Sequence, residues 1–323
     1  MRTCLFILLI IILTACAQAP GTFVDQNISV SVTPSSTLVG IVSTPSNSSF
    51  PTSTSNPVNA TETSAAESAL VVPTPTQTLV EWTEMPVIPT VSDTARSIYV
   101  SGLAMGNEPR SFIKVGDCDA TTSWFLGDFD LDSRHYSLGD YHELQETIDY
   151  FQGSFGRESV AVKRGFNTAS VLSPIWADPT VCEKNETPLD CEIRLRKPSY
   201  ALILLGTNDV HKPSQFEPNL RKILDHLIEK GVLPILSTKA DNREGDHTIN
   251  ATLAKLAYEY DIPLWNFWLA VQHLPAHGLQ EDGSHLTFAS NQFDDPFRMK
   301  SAWPWRNLTA LQTLDAIRKG LAE

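Results

Sequence analysis

The sequence predicts an α/β fold in which a mostly parallel sheet carries helices on both faces. Three observations predict it. Tyr200 to Leu205 is an unbroken apolar run ending at Gly206, the pattern of a central parallel strand covered on both sides. Leu220, Ile223, Leu224, Leu227 and Ile228 fall on one helical stripe, with Arg221, Lys222, Glu229 and Lys230 off it, and Gly231 ends the segment. Segments of these two kinds alternate along the chain, as β-α-β crossovers require.

Taken in order, Ser111 to Val115 reads as a first strand ending at Gly116, and Ser159 to Val162 as a weaker second one. Tyr200 to Leu205, Gly231 to Leu236 and Ile262 to Phe267 follow as strands. Helices are expected over Tyr141 to Phe151, around Leu220 to Lys230, at Ile249, Leu253, Leu256, Ala257 and Tyr260, and from Leu308 to Leu321. No internal repeat is visible.

The first part of the chain is of another kind. Arg2, the apolar run from Leu5 to Leu13 and the closing Leu13-Thr14-Ala15-Cys16 resemble a bacterial lipoprotein signal, residues 1–15, after which Cys16 would carry lipid. An ordinary secretory signal is the alternative; the run is too short for the roughly 20 residues of a membrane span. Residues 16–95 are rich in Ser, Thr and Pro and poor in charge and aromatics, so they are expected to form a disordered spacer. Asn27, Asn47 and Asn59 open Asn-x-Ser/Thr triplets, which chance produces readily in such a stretch. Residues 96–323 are left for one domain, ample for a full core. The net charge of -13 and the lack of a Lys/Arg cluster argue against a nucleic-acid partner. Of the five cysteines, Cys182 and Cys191 flank a polar loop, Glu183 to Asp190, and are expected to form a disulfide after export. Cys118 is then the odd thiol.

Three short blocks carry chemistry: Val115-Gly116-Asp117-Cys118, Leu205-Gly206-Thr207-Asn208-Asp209 and Asp282-Gly283-Ser284-His285. They offer a nucleophile, an oxyanion donor, and a base with its carboxylate. The first two follow strands and the third precedes the last helix, where an open α/β sheet gathers its site. From about Ser111 to the end, the chain resembles the SGNH (GDSL-type) hydrolase superfamily through these blocks. That resemblance implies a flavodoxin-like three-layer α/β/α sandwich. It also implies that Cys118 stands where the family has its nucleophilic serine, with His285 as base and Asp282 orienting the imidazole. Asn208 and the backbone N–H of Cys118 would face the oxyanion, and the register of Arg164-Gly165-Phe166-Asn167-Thr168 puts the Thr168 N–H at the third donor. Gly116, Asp117, Gly206 and Asp209 would organise the loops.

The function expected is that of a lipid-anchored, extracytoplasmic acyl hydrolase or acyltransferase using ester or thioester chemistry, with carbohydrate O-acetyl groups among its candidate substrates. A thiol nucleophile favours acyl transfer, since a thioester intermediate can pass its acyl group to a hydroxyl or amine. The alternative is a catalytically impaired binding protein presenting a glycan-binding cleft at the cell surface. The chemistry needs no cofactor. A metal on Asp117, Cys118, Asp119 and a distant histidine has no CxxC or HxxxH spacing behind it. Trp303-Pro304-Trp305 is a candidate sugar-stacking wall, with core packing as the competing role.

Overall fold

The structure, a computed structural model, describes residues 81–322; the signal, Cys16 and the spacer as far as residue 80 lie outside the described residues. The helices and strands run in the order α1 (Asp93–Met105), β1 (Glu108–Gly116), α2 (Gln145–Phe151), α3 (Thr168–Val171), α4 (Pro188–Arg196), β2 (Pro198–Leu204), α5 (Pro213–Glu229), β3 (Leu233–Ser237), α6 (Thr248–Tyr260), β4 (Leu264–Trp265), α7 (Phe267–Val271) and α8 (Ala302–Ala322). The four strands pair in sequence order, all parallel.

The weak strand at Ser159 to Val162 contributes only a bridge between Val162 and Gly116, on the edge of β1 away from β2. Counting that bridge, the chain crosses to one side of β1 and then returns to the other, the flavodoxin-like order. Loops leaving β1 and β2 therefore part at their carboxyl ends, which opens a crevice there. Helices α1, α2 and α8 pack together with strands, and α3, α4, α5 and α6 form a second group, giving three layers.

Burial explains the strands. Every residue of β2 and β3 is buried, so apolar runs rather than alternation mark them. Lys114 is the exception inside β1: its ammonium donates to Thr122 Oγ1 and the Phe155 carbonyl, both at 2.9 Å, and burial pushes its pKa down to about 8.

Several expectations need correction. The folded unit begins before residue 96: Asn266 Nδ2 donates to the carbonyls of Trp82 and Met85, and Ser92 caps α1 by accepting from Ala95 N. The last expected strand stops at Trp265, because the Asn266 side chain turns to accept from Leu269 N and caps α7. The segment from Tyr141 divides into a 3₁₀ turn, Gly139–Leu144, and the short α2. The polar stretch before Cys191 is partly helical: Thr187 and Asp190 form a reciprocal capping box, with Pro188 at the first helical position of α4. Cys182 and Cys191 are joined as a disulfide. Among the described residues no helix is long and apolar enough to cross a membrane.

Candidate active site

β1 delivers the first block to the crevice. A Cβ on Gly116 would lie 2.8 Å from both Ala120 Cβ and the Leu204 carbonyl, so only glycine lets β1 pass β2 into so tight a turn. Asp117 then accepts from Asp119 N at 3.0 Å and starts the 3₁₀ turn Cys118–Ala120. Cys118 is half-buried and is a free thiol; no described residue hydrogen-bonds its sulfur.

β2 delivers the second block. Gly206 has φ +130°, and a Cβ there would strike Ile249 Cγ2 at 2.7 Å. Asn208 Nδ2 donates to Asp117 Oδ2 at 2.8 Å and to the Phe166 carbonyl at 3.1 Å, tying the loop after β2 to the first block and to the loop after Val162. Both amide hydrogens are engaged, so an oxyanion reaching Asn208 competes with Asp117 or Phe166 for one of them. Thr168, expected as the third donor, is buried. It gives its N–H to Asp209 Oδ1 at 3.1 Å and its hydroxyl to the same oxygen at 2.5 Å. Its amide therefore serves the Asp209 carboxylate and is not offered to a substrate, because a buried carboxylate must collect donors of its own.

The third block is an exposed turn. Asp282 Oδ1 accepts from the backbone N–H groups of Ser284 and His285, each at 3.0 Å, and Asp282 Oδ2 lies 2.5 Å from His285 Nδ1. These bonds hold the Asp282 carboxyl well below the usual carboxylate range, the bond from His285 contributing most. The imidazole is thus oriented by one carboxylate, with Nε2 left for other work.

All three blocks meet around one small cavity of about 10 Å³, whose wall includes Asp117, Asp119, Thr207, Ser284, Leu286 and Arg306. His285 and Asp282 act electrostatically on Asp119. The charges felt by Cys118 are those of Asp117, Asp119 and Arg164. Burial, reinforced by the two aspartates, pushes the thiol up to about 11, and burial followed by Asp119 pushes Asp117 up to about 7. At pH 7 the thiolate fraction is therefore roughly one in ten thousand. Alkylation of Cys118 by iodoacetamide, followed on its own peptide by mass spectrometry, is expected to rise about tenfold per pH unit from 7 to 10. A plateau by pH 8 would show instead a thiolate held by a cation.

Cys182, Glu186 and Cys191 cluster closely enough for a metal, but both sulfurs are bonded to each other and offer no thiolate. Beside the site, Trp124, Phe288 and Trp303 line a cleft of about 420 Å³ with Arg134, His135 and Asn291 among its polar rim. Trp124 meets Phe288 edge-on at 5.1 Å and stacks on Trp303 at 6.1 Å. Trp305 is not on that wall: it packs against His273 and donates to the Met299 carbonyl. Among the charged residues of the site, Lys239, Asp241 and Arg306 escaped sequence reasoning, as did Asp119 in any role but metal ligation. The available signal was that Arg306 shares its helical stripe with the buried Trp303, Ala310 and Leu314.

No protein-family model matches the chain. Over 122 residues it is 28% identical to the thioesterase 1/protease 1/lysophospholipase L1 of Escherichia coli K12, a match covering 36% of this chain and 59% of that protein. The chain thus spans less than two thirds of the length of this curated relative. Among solved structures, a GDSL-like lipase from Bacteroides thetaiotaomicron aligns at 14% identity and TM-score 0.40, over 74% of this chain and 99% of the lipase. The esterase EstA from a Pseudoalteromonas species aligns at 15% identity and TM-score 0.40, over 66% of this chain and all (100%) of the esterase. The proteins to which the chain is similar thus carry hydrolase names of the GDSL or esterase kind.

Proposed function

We propose that this chain is an SGNH-type acyl hydrolase or acyltransferase, lipid-anchored through Cys16 outside the cytoplasm, with Cys118 as nucleophile, His285 as base and Asp282 as its orienting carboxylate. The observation that carries this reading is the convergence of three blocks on one cavity at the carboxyl ends of β1 and β2, where an α/β crevice places its ligand. The thioesterase and lysophospholipase activities in the name of the E. coli relative support thioester or ester substrates; carbohydrate O-acetyl groups are our candidate within that class. The Met1 to Cys16 pattern and the disulfide support the location.

In this mechanism the Cys118 sulfur attacks the acyl carbon while His285 takes the thiol proton. The oxyanion is met by the Cys118 N–H and by an Asn208 hydrogen released from Asp117. Fixed donors of this kind contribute about 3 to 4 kcal/mol each. Collapse breaks the bond to the leaving oxygen or sulfur, which receives the proton from His285. Water or a hydroxyl then attacks the thioester, His285 again carrying the proton, and Cys118 is regenerated.

The exposed aromatic cleft and the raised thiol favour a second reading, a glycan-binding protein with an idle site. Acyl release from a panel of acetyl esters and thioesters by the full chain separates the two. Multiple turnovers are expected; no release across the panel, with glycan binding retained, leaves the second reading.

A further inference from the structure

Arg306 is 4% exposed, and its guanidinium carbon lies 4.7 to 5.9 Å from the ring centres of Phe267, Phe125, Trp265 and Trp303. Among the described residues it donates to no partner, and its Nε is fully buried without a hydrogen bond. A buried cation in an aromatic box, its donors unmet, calls for an acceptor. Arg306 reaches the cavity beneath the three blocks.

The other charged groups on that wall are mostly engaged. Lys239 is bonded to Asp241 at 2.8 Å and to Glu244 at 2.6 Å, Asp241 also accepts from Thr207 Oγ1 at 2.7 Å, and Asp117 accepts from Asn208 and Asp119 N. Asp119 differs: its carboxylate receives no hydrogen bond from any described residue, and it is the strongest charge acting on Arg306. The wall therefore offers one set of unmet donors and one set of unmet acceptors across about 10 Å³, room for one water-sized group.

That combination selects its ligand. A metal cation would face Arg306 and Lys239, and a free anion would face Asp117, Asp119 and Asp241. A hydroxyl carries both a lone pair and a hydrogen, and satisfies both partners. Position adds the rest: neither Cys118 nor His285 lines the cavity, but Asp117 and Asp119 flank Cys118, and Ser284 and Leu286 flank His285, so the cavity adjoins the two turns that carry the reacting side chains. We propose that this cavity is a hydroxyl-recognition subsite in which Arg306 donates to, and Asp119 accepts from, one hydroxyl of a polyol ester substrate. The proposal rests on the acyl hydrolase reading and gives it a substrate class.

The test compares 2-hydroxyethyl acetate with propyl acetate, which replaces the hydroxyl by a methyl group of similar size. The full chain is expected to favour the hydroxylated ester by at least ~10-fold in kcat/KM, and Asp119→Asn and Arg306→Met to reduce that ratio at least ~5-fold, because a site built around a hydroxyl leaves its own groups unpaired when the hydroxyl is absent. Asp119→Asn carries the test if Arg306→Met does not fold. A ratio near one in the wild type, as for a cavity that holds only water, or a ratio unchanged in the variants, would overturn the subsite while leaving the hydrolase intact. If neither ester turns over, the hydrolase reading fails, and saturation-transfer NMR with 2-hydroxyethyl acetate decides the subsite. Binding lost in Asp119→Asn upholds it; no binding, or equal binding, overturns it.

Discussion

Cys118→Ala is expected to lower kcat/KM on acetyl esters and thioesters by at least ~10³-fold, as loss of a nucleophile does elsewhere, whereas Cys118→Ser is expected to stay within about tenfold of the wild type. The first expectation follows from position, since Cys118 carries the free thiol of the turn that β1 throws into the crevice, while the neighbouring Thr121 hydroxyl is engaged with the Cys118 carbonyl. The second follows from electrostatics. A cysteine protease gains its advantage from a thiolate held beside a cation, but here burial, Asp117 and Asp119 raise the thiol to about 11. The attacking group at neutral pH is then protonated and must lose its proton to His285 during attack, which is the demand a serine makes. Full activity in Cys118→Ala would remove Cys118 as nucleophile. An inactive but folded Cys118→Ser beside an active wild type would show that the thiolate is used after all, and that the turn rearranges when substrate binds.

How far the sequence foretold this site depends on which force set each part. β2 and β3 were legible because both faces are covered, and an apolar run is then the only affordable composition. α5 and α6 were legible from the stripes that face the sheet. What local pattern could not foretell was set by single side chains acting at a distance. Asn266 ends β4, caps α7 and ties down Trp82 and Met85, which are more than 180 positions earlier in the chain, and nothing in the composition of residues 81–95 announces that they are held. The sequence marks Gly116 and Gly206 only as expected loop organisers; the requirement for glycine there, a missing Cβ against Leu204 or Ile249, lies in tertiary contacts. Thr168 was placed by register, and register cannot tell that Asp209 takes its amide. Arg306 was hidden by the usual rule that arginine is a surface residue, which fails where aromatic rings and carboxylates surround it.

Asp282→Asn and His285→Ala are each expected to reduce kcat/KM by about 10⁴-fold, with thermal stability close to that of the wild type. The side chains of His285 and Asp282 are 49% and 48% exposed, and among the described residues the ring's hydrogen bond is the one to Asp282. No surrounding core holds the imidazole, so its orientation depends on that bond. Asparagine preserves the turn, because its amide oxygen can still accept from Ser284 N and His285 N. Its NH2 facing Nδ1, however, donates where the carboxylate accepted, which selects the tautomer that cannot serve as base; in serine proteases the equivalent change leaves geometry intact and costs about 10⁴ in kcat. Exposure limits the structural consequence, since surface changes of this kind usually stay within about 0.5 kcal/mol. The pH profile offers an independent check. Hydrogen bonds, that from His285 first, hold Asp282 below the ordinary carboxylate range, so it remains ionised as pH falls through about 4, where free carboxylates take up protons. The wild-type rate profile should accordingly show no break attributable to Asp282 there. Near-wild-type rates in Asp282→Asn would mean that substrate alone orients the imidazole, and would reduce the pair to a surface contact.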